Sequence, residues 1–201
     1  MMLNVYLLRH GETQWNADGN KYCGRTDIPL TQKGISQAEL VHHQLKNIDF
    51  DAVYSSPLQR ALRTARIASG KNDVVTDERL IEFSFGNWEG KTKEEFIPEA
   101  PALWERWCNN PATTKAGGTG ETANEVVERV DHFFEFILKK FPSGNVLVVG
   151  HNGINRFYLA FKLSMELKNY RRLVQANSSI SMFSLDPKNG ELSLKLLNSK
   201  L

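Results

Sequence analysis

The chain predicts an α/β fold, a three-layer αβα sandwich around a mainly parallel, mixed sheet. Strand-like and helix-like segments alternate along it, and the strongest strands are continuous apolar runs. Such runs belong in sheets that helices cover on both faces. In addition, four clusters of polar residues fall at or just after predicted strand ends, the edge where open α/β sheets hold ligands.

The elements follow in order. Leu3–Leu8 reads as the first strand. Thr31 to about Asn47 reads as an amphipathic helix capped by Thr31, with apolar positions at Ile35, Ala38, Leu40, Val41 and Leu45. Ala52–Ser55 is a short buried strand. Ser56-Pro57 then starts a helix, because Ser accepts an orphan N–H and Pro presets φ in the first turn. Val74–Val75 is a third strand. A Gly-rich polar loop over 109–120 leads to a long helix from about Thr122 to Phe141. Asn145–Gly150 is the most β-prone run, followed by a helix over about Gly153–Leu163 and strands near Ser179–Leu185 and Leu192–Leu197. The excursion from about Gly86 to Gly120 lies where a lid or specificity region would be inserted, so it is expected to set substrate choice. At 201 residues, positions 1–201 are expected to form one domain.

Composition excludes several classes. Lys and Arg number 25 against 23 Asp and Glu, so no global field favours nucleic acid or an anionic membrane. Any anion must be held by a local basic cluster. Two cysteines, Cys23 and Cys108, are too few for a disulfide framework and suggest a reducing compartment. The opening Met-Met-Leu-Asn resembles no secretory leader, and no segment approaches ~18 uninterrupted apolar residues. A cytoplasmic location without membrane attachment is the expectation.

The four polar clusters carry the chemistry. Arg9-His10-Gly11 follows the first strand. Arg cannot deprotonate, and its charge disfavours protonation of its neighbour, so His10 is expected to stay a neutral nucleophile until an anion arrives. Gly11 is expected to open space where the chain turns or a ligand approaches. Arg60, in a first helical turn, suits an anion; on local evidence alone it reads, with Arg63, more readily as a solvated helix face. Glu82 lies among Ile81, Phe83, Phe85 and Trp88, a setting that raises a carboxyl pKa toward general-acid duty, or else it is an exposed Glu on an edge strand. His151 follows the strongest strand, where a lone His is more often structural. Together, two His and two Arg could surround one tetrahedral dianion.

At these residues the chain resembles the histidine phosphatase superfamily, with its phosphoglycerate mutase-like fold. Leu8-Arg9-His10-Gly11-Glu12-Thr13 with Trp15-Asn16 is similar to the family's opening motif. Ser56-Pro57, Arg60-Ala61 and Thr64-Ala65, then Leu80, Glu82, Gly86 and Trp88-Glu89-Gly90, then His151 and Gly153, resemble its later motifs in the same order. The resemblance runs from about residue 3 to 197. It implies that His10 is the phosphorylated nucleophile, that Arg9, Arg60 and His151 hold the phosphoryl oxygens, and that Glu82 donates the proton. It also implies that Asn16 and the Tyr22-Cys23-Gly24 turn line the pocket, with Cys23 a wall residue rather than a nucleophile. Asn152 stands where many relatives have Gly, and its side chain is expected to narrow the site or contact substrate. No cofactor and no metal are implied.

Within the family, the run Tyr22-Cys23-Gly24-Arg25-Thr26-Asp27 and Phe85-Gly86-Asn87-Trp88-Glu89 most resemble the α-ribazole phosphatase branch of cobalamin synthesis. The resemblance therefore implies hydrolysis of a small phosphate ester, with α-ribazole 5′-phosphate leading and inorganic phosphate as product. Phe83, Phe85, Trp88, Trp104 and Trp107 either stack its flat base or form core. The excursion has only Lys91, Lys93, Arg106 and Lys115 as basic residues, which argues against a mutase grip on phosphoglycerate. A broad sugar-phosphate phosphatase, a phosphoglycerate mutase-like enzyme and a non-catalytic phosphate-binding regulator are the alternatives. Neither nucleic acid nor membrane is an expected partner, and a homodimer stays open.

Overall fold

The computed structural model describes residues 2–200. Strand β1 (Leu3–Arg9) is followed by the single turn α1 (Gln14–Ala17) and by α2 (Gln32–Leu45), with Thr31 accepting from the Gly34 N–H as its cap. Next come β2 (Ala52–Ser55), α3 (Gln59–Ser69) and the two-residue β3 (Val75–Thr76). Two helices follow, α4 (Lys93–Glu99) and α5 (Pro101–Asn109). Then come α6 (Ala123–Lys140), β4 (Gly144–Gly150), α7 (Asn152–Lys162), a 3-10 segment over Leu167–Arg172, β5 (Ile180–Leu185) and β6 (Leu192–Ser199).

The six strands form one mixed sheet in the order β3-β2-β4-β1-β5-β6. The β3-β2, β2-β4 and β4-β1 pairs are parallel, while β5 runs antiparallel to β1, and β6 to β5. Successive strand side chains point to opposite faces, which explains the uninterrupted apolar runs. On one face Val5 and Leu7 of β1 and Val148 of β4 join Val130 and Phe134 of α6 and Phe157 of α7 in one core. On the other, Leu8, Leu147 and Val149 join Val41 of α2 and Ala61 and Ala65 of α3 in a second. The αβα layering expected from sequence is therefore observed.

Three local readings are corrected. Helix α3 starts at Gln59, not at Ser56-Pro57, because its end is capped from elsewhere: Asp27 accepts from the Gln59 N–H at 2.9 Å. Ser56 Oγ does accept the Leu58 N–H at 3.3 Å, but in the turn before the helix. Leu40, counted among the apolar positions of α2, is 52% exposed. The 86–120 excursion, for which no helix was anticipated, carries α4 and α5, the first with Thr92 and Glu95 as a capping box.

Candidate active site

Strand pairing brings the two histidines together. Arg9 at the end of β1 is in register with Gly150 at the end of β4, so His10 and His151 each stand one residue beyond a paired end. Their ring centroids are 5.1 Å apart. The His10 backbone is held from several sides: its N–H donates to the Gly150 carbonyl, and its own carbonyl accepts from the Ser178 N–H and from Asn177 Nδ2.

The His10 ring has a defined tautomer. Nδ1 lies 2.7 Å from the Gly11 carbonyl, which can only accept, so Nδ1 carries the proton and Nε2 keeps its lone pair. Burial, with the charges of Arg60 and Arg9, holds the imidazole well below its ordinary pKa. The neutrality expected from the Arg9-His10 sequence is thus supported, with burial the larger cause. His151 is likewise held well below the ordinary value by burial and Arg60. The group that needs space at Gly11 is protein: a Cβ there would lie 2.5 Å from the Gly34 carbonyl oxygen. The expected ligand approach at Gly11 is therefore corrected to backbone packing against α2.

Arg60 is fully buried, whereas Arg63 is exposed, so the solvated-face reading holds only for Arg63. The Arg60 guanidinium donates to the carbonyls of Thr26 (2.8 Å) and Gly24 (2.7 Å). Glu89 holds the same loop, accepting from the Arg25 N–H and the Thr26 hydroxyl. Thr64 connects α3 to the His10 turn, accepting from the Gly11 N–H at 3.0 Å. Arg9 donates through Nη1 to the Gln175 carbonyl, and burial pulls its guanidinium down to about 10, still charged near neutrality. Nε of Arg9, Nε of Arg60 and both ring nitrogens of His151 are buried without a hydrogen-bond partner. Buried polar nitrogens are ordinarily paired, so this local concentration calls for an acceptor.

Glu82 is buried, not on an exposed edge. Its carboxylate accepts from the N–H groups of Gly153 (3.0 Å) and Ile154 (3.1 Å) at the start of α7, and from that of Phe83 (3.1 Å). Burial raises its pKa, while those donors pull the other way. A Cβ at Gly153 would strike the Phe83 ring and lie 2.7 Å from Glu82 Oε1, so only glycine permits this approach. Arg129 of α6 secures the segment, donating to the Arg79 and Ile81 carbonyls and pairing with Glu121.

A cavity of about 510 Å³ is lined by Arg9, His10, Asn16, Cys23, Gly24, Arg60, Glu82 and Asn152, among others. His151 stands behind this wall, fully buried. Asn16 Oδ1 accepts from Thr13 and Asn177, leaving Nδ2 as its free donor. Burial raises the Cys23 thiol, which disfavours thiolate chemistry. Asn152 Oδ1 accepts from Arg156 at 3.4 Å. Sequence reasoning missed Arg156, Tyr170, Arg171 and Asn177. Arg156 lies one helical turn after Asn152, a signal that was available; nothing local marks the other three. Among the described residues no group of three or more His, Cys, Asp or Glu has metal-binding proximity, and no helix is long and apolar enough to cross a membrane.

Comparison with known proteins gives the family. The family model for the histidine phosphatase superfamily (branch 1) matches residues 5–199, and the chain belongs to that family. It is 33% identical over 187 residues to phosphoserine phosphatase 1 of Hydrogenobacter thermophilus, covering 92% of this chain and 88% of that one. It is 32% identical over 205 residues to the adenosylcobalamin/alpha-ribazole phosphatase of Salmonella typhimurium, covering 98% and 97%. A phosphoserine phosphatase from Entamoeba histolytica, solved with 3-phosphoglyceric acid, superposes with a TM-score of 0.89 at 32% identity, covering 99% and 98%. The chain is a phosphoric monoester hydrolase of the phosphoglycerate mutase-like α/β fold.

Proposed function

We propose that the protein hydrolyses a small phosphorylated metabolite through a phosphohistidine formed on His10 Nε2. The observation that carries this reading is the set of unpartnered buried nitrogens of Arg9, Arg60 and His151 around a neutral, tautomerically fixed imidazole. Nε2 attacks phosphorus as the bond to the ester oxygen breaks. Charge on the equatorial phosphoryl oxygens is met by donors already in place, the electrostatic contribution that dominates many such reactions. Glu82, whose carboxyl pKa burial raises, gives a proton to the leaving alkoxide. Water then attacks phosphorus, Glu82 takes a proton back, the P–N bond breaks, and inorganic phosphate leaves. Asn16 and the Gly24 loop complete the wall around the phosphoryl group.

For the substrate, α-ribazole 5′-phosphate draws support from the motif likeness and from relatives of that activity. The stacking argument for it is weaker than the sequence suggested: Phe83, Trp88 and Trp107 are buried in the core, and Phe85 alone of the five aromatics is both partly exposed and on the cavity wall. The mutase and sugar-phosphate alternatives use the same centre and differ in what shares the cavity. A non-catalytic regulator would not need the proton-donor geometry of Glu82.

His10→Ala is expected to abolish hydrolysis of p-nitrophenyl phosphate, a loss of about four orders of magnitude or more. EDTA is expected to leave wild-type turnover unchanged. Persistent turnover in the variant would overturn the nucleophile assignment, and a loss in EDTA restored by Mg²⁺ would overturn the metal-free step.

A further inference from the structure

The cavity continues past the groups around His10. Its remaining wall carries Lys93, Arg156 and Arg171 beside the Tyr170 ring. In all, six basic and two acidic side chains line the cavity, in a chain whose net charge is +2. A phosphoryl group would answer Arg9 and Arg60. Of the other four, Lys93, Arg156 and Arg171 share the remaining wall, and among the described residues none of those three is in a salt bridge. Arg156 and Arg171 are partly buried and Lys93 is exposed; partly buried cations without a counter-ion are costly, so a site that keeps the two arginines together beside a lysine needs a reason.

Their geometry gives one. Arg171 lies 4.8 Å from the ring centres of both Trp104 and Tyr170, and its Nη2 is buried without a partner. Arg156, 5.0 Å from the Tyr170 ring centre, uses Nε for the Tyr170 carbonyl and Nη1 for Asn152, which leaves Nη2. The Lys93 ammonium lies 5.7 Å from the Trp104 ring centre. Ring faces offset part of the cost of holding like charges together and fix where the guanidinium planes lie. Burial, with Arg171 adding to it, lowers the pKa of both Lys93 and Arg156.

We propose that this wall is a carboxylate subsite, and that the substrate is a small aliphatic phosphate monoester whose carboxylate is gripped by Arg171, Arg156 and Lys93. The proposal rests on the phosphatase reading above and adds the substrate's second charged group. A carboxylate offers two in-plane oxygens to such forks. A second phosphoryl dianion fits less well, because exposed Glu94 stands on the same cavity wall. The uncharged base of α-ribazole 5′-phosphate would leave all three cations unpaired. Arg156 and Arg171 lie outside the 86–120 excursion, which contributes Lys93 and the Trp104 ring that supports Arg171.

The test compares kcat/KM for 3-phosphoglycerate and O-phosphoserine with that for glycerol 1-phosphate and α-ribazole 5′-phosphate, using p-nitrophenyl phosphate as reference. Wild-type enzyme is expected to prefer the carboxylate esters by about 30-fold or more. Arg171→Gln and Arg156→Gln are each expected to cut that preference about tenfold, and Arg171→Lys to recover part of it. A wild type that favours α-ribazole 5′-phosphate, or treats 3-phosphoglycerate and glycerol 1-phosphate alike, overturns the subsite and leaves the phosphatase reading standing. A preference unchanged in both Gln variants overturns the residue assignment. No turnover of any ester, p-nitrophenyl phosphate included, overturns the phosphatase reading and this proposal with it.

Discussion

At the His10 end of the cavity the histidines stand one residue beyond paired strand ends, and Glu82 is fixed by three backbone N–H groups. At the Arg171 end the charges ride on the first turn of α4, on α7 and on a 3-10 segment, and aromatic rings steady them. The first arrangement suits chemistry that must be positioned within a fraction of an ångström. The second relies on flexible side chains over rings, so substrate choice can change while the reacting centre stays intact. Family members sharing one centre can differ in substrate for this reason.

Variants at the two ends should therefore behave differently. After His10→Ala, the largest effect is expected from Glu82→Gln, at the proposed proton donor. Alkyl phosphates should slow by about 10²- to 10⁴-fold, and p-nitrophenyl phosphate much less, because its leaving group needs little protonation. Equal slowing of both esters in steady-state assays would argue against general-acid duty. A smaller effect is expected at the other end from Trp104→Leu, which takes the ring from beneath Arg171. KM for 3-phosphoglycerate should rise about two- to fivefold with kcat little changed, because Trp104 supports Arg171 and Lys93 and is not among the residues around His10. A fall in kcat of the same size for every ester would show that the two ends are not separable.

The smallest effect concerns pH and lies wholly at the His10 end. His151 has a pKa lowered in the folded state, so the unfolded chain binds its proton more readily. The contribution of the neutral, buried His151 to stability is present above about 6.5, the ordinary value, and is lost as pH falls from there toward the lowered one. Urea unfolding of wild type and His151→Gln should show their stability difference shrinking as pH drops below that value. A constant difference would contradict the assignment. Glu82 acts in the opposite sense, since its raised pKa makes its contribution fade as pH rises, which is why the comparison is made against a histidine variant.

Much of the centre was legible because strands announce themselves. The apolar runs Val5–Leu8 and Val146–Val149 mark two buried parallel strands, and the residues after them fall at one sheet edge whatever the loops do. Arg9, His10 and His151 were found by that logic, and Glu82 by its aromatic neighbours. The start of α3 was misplaced because its cap, Asp27, is 32 residues away. Gly11 was misread because the approaching backbone, Gly34, belongs to another element. The sequence by itself determined the layered fold, the neutral imidazole of His10 and the candidate acid, since each follows from a local pattern or a neighbour in the chain. Only the tertiary structure decided what lines the rest of the cavity. Arg156, Arg171 and Lys93 meet across α7, a 3-10 turn and α4, and no periodicity encodes a contact among elements folded together from distant parts of the chain.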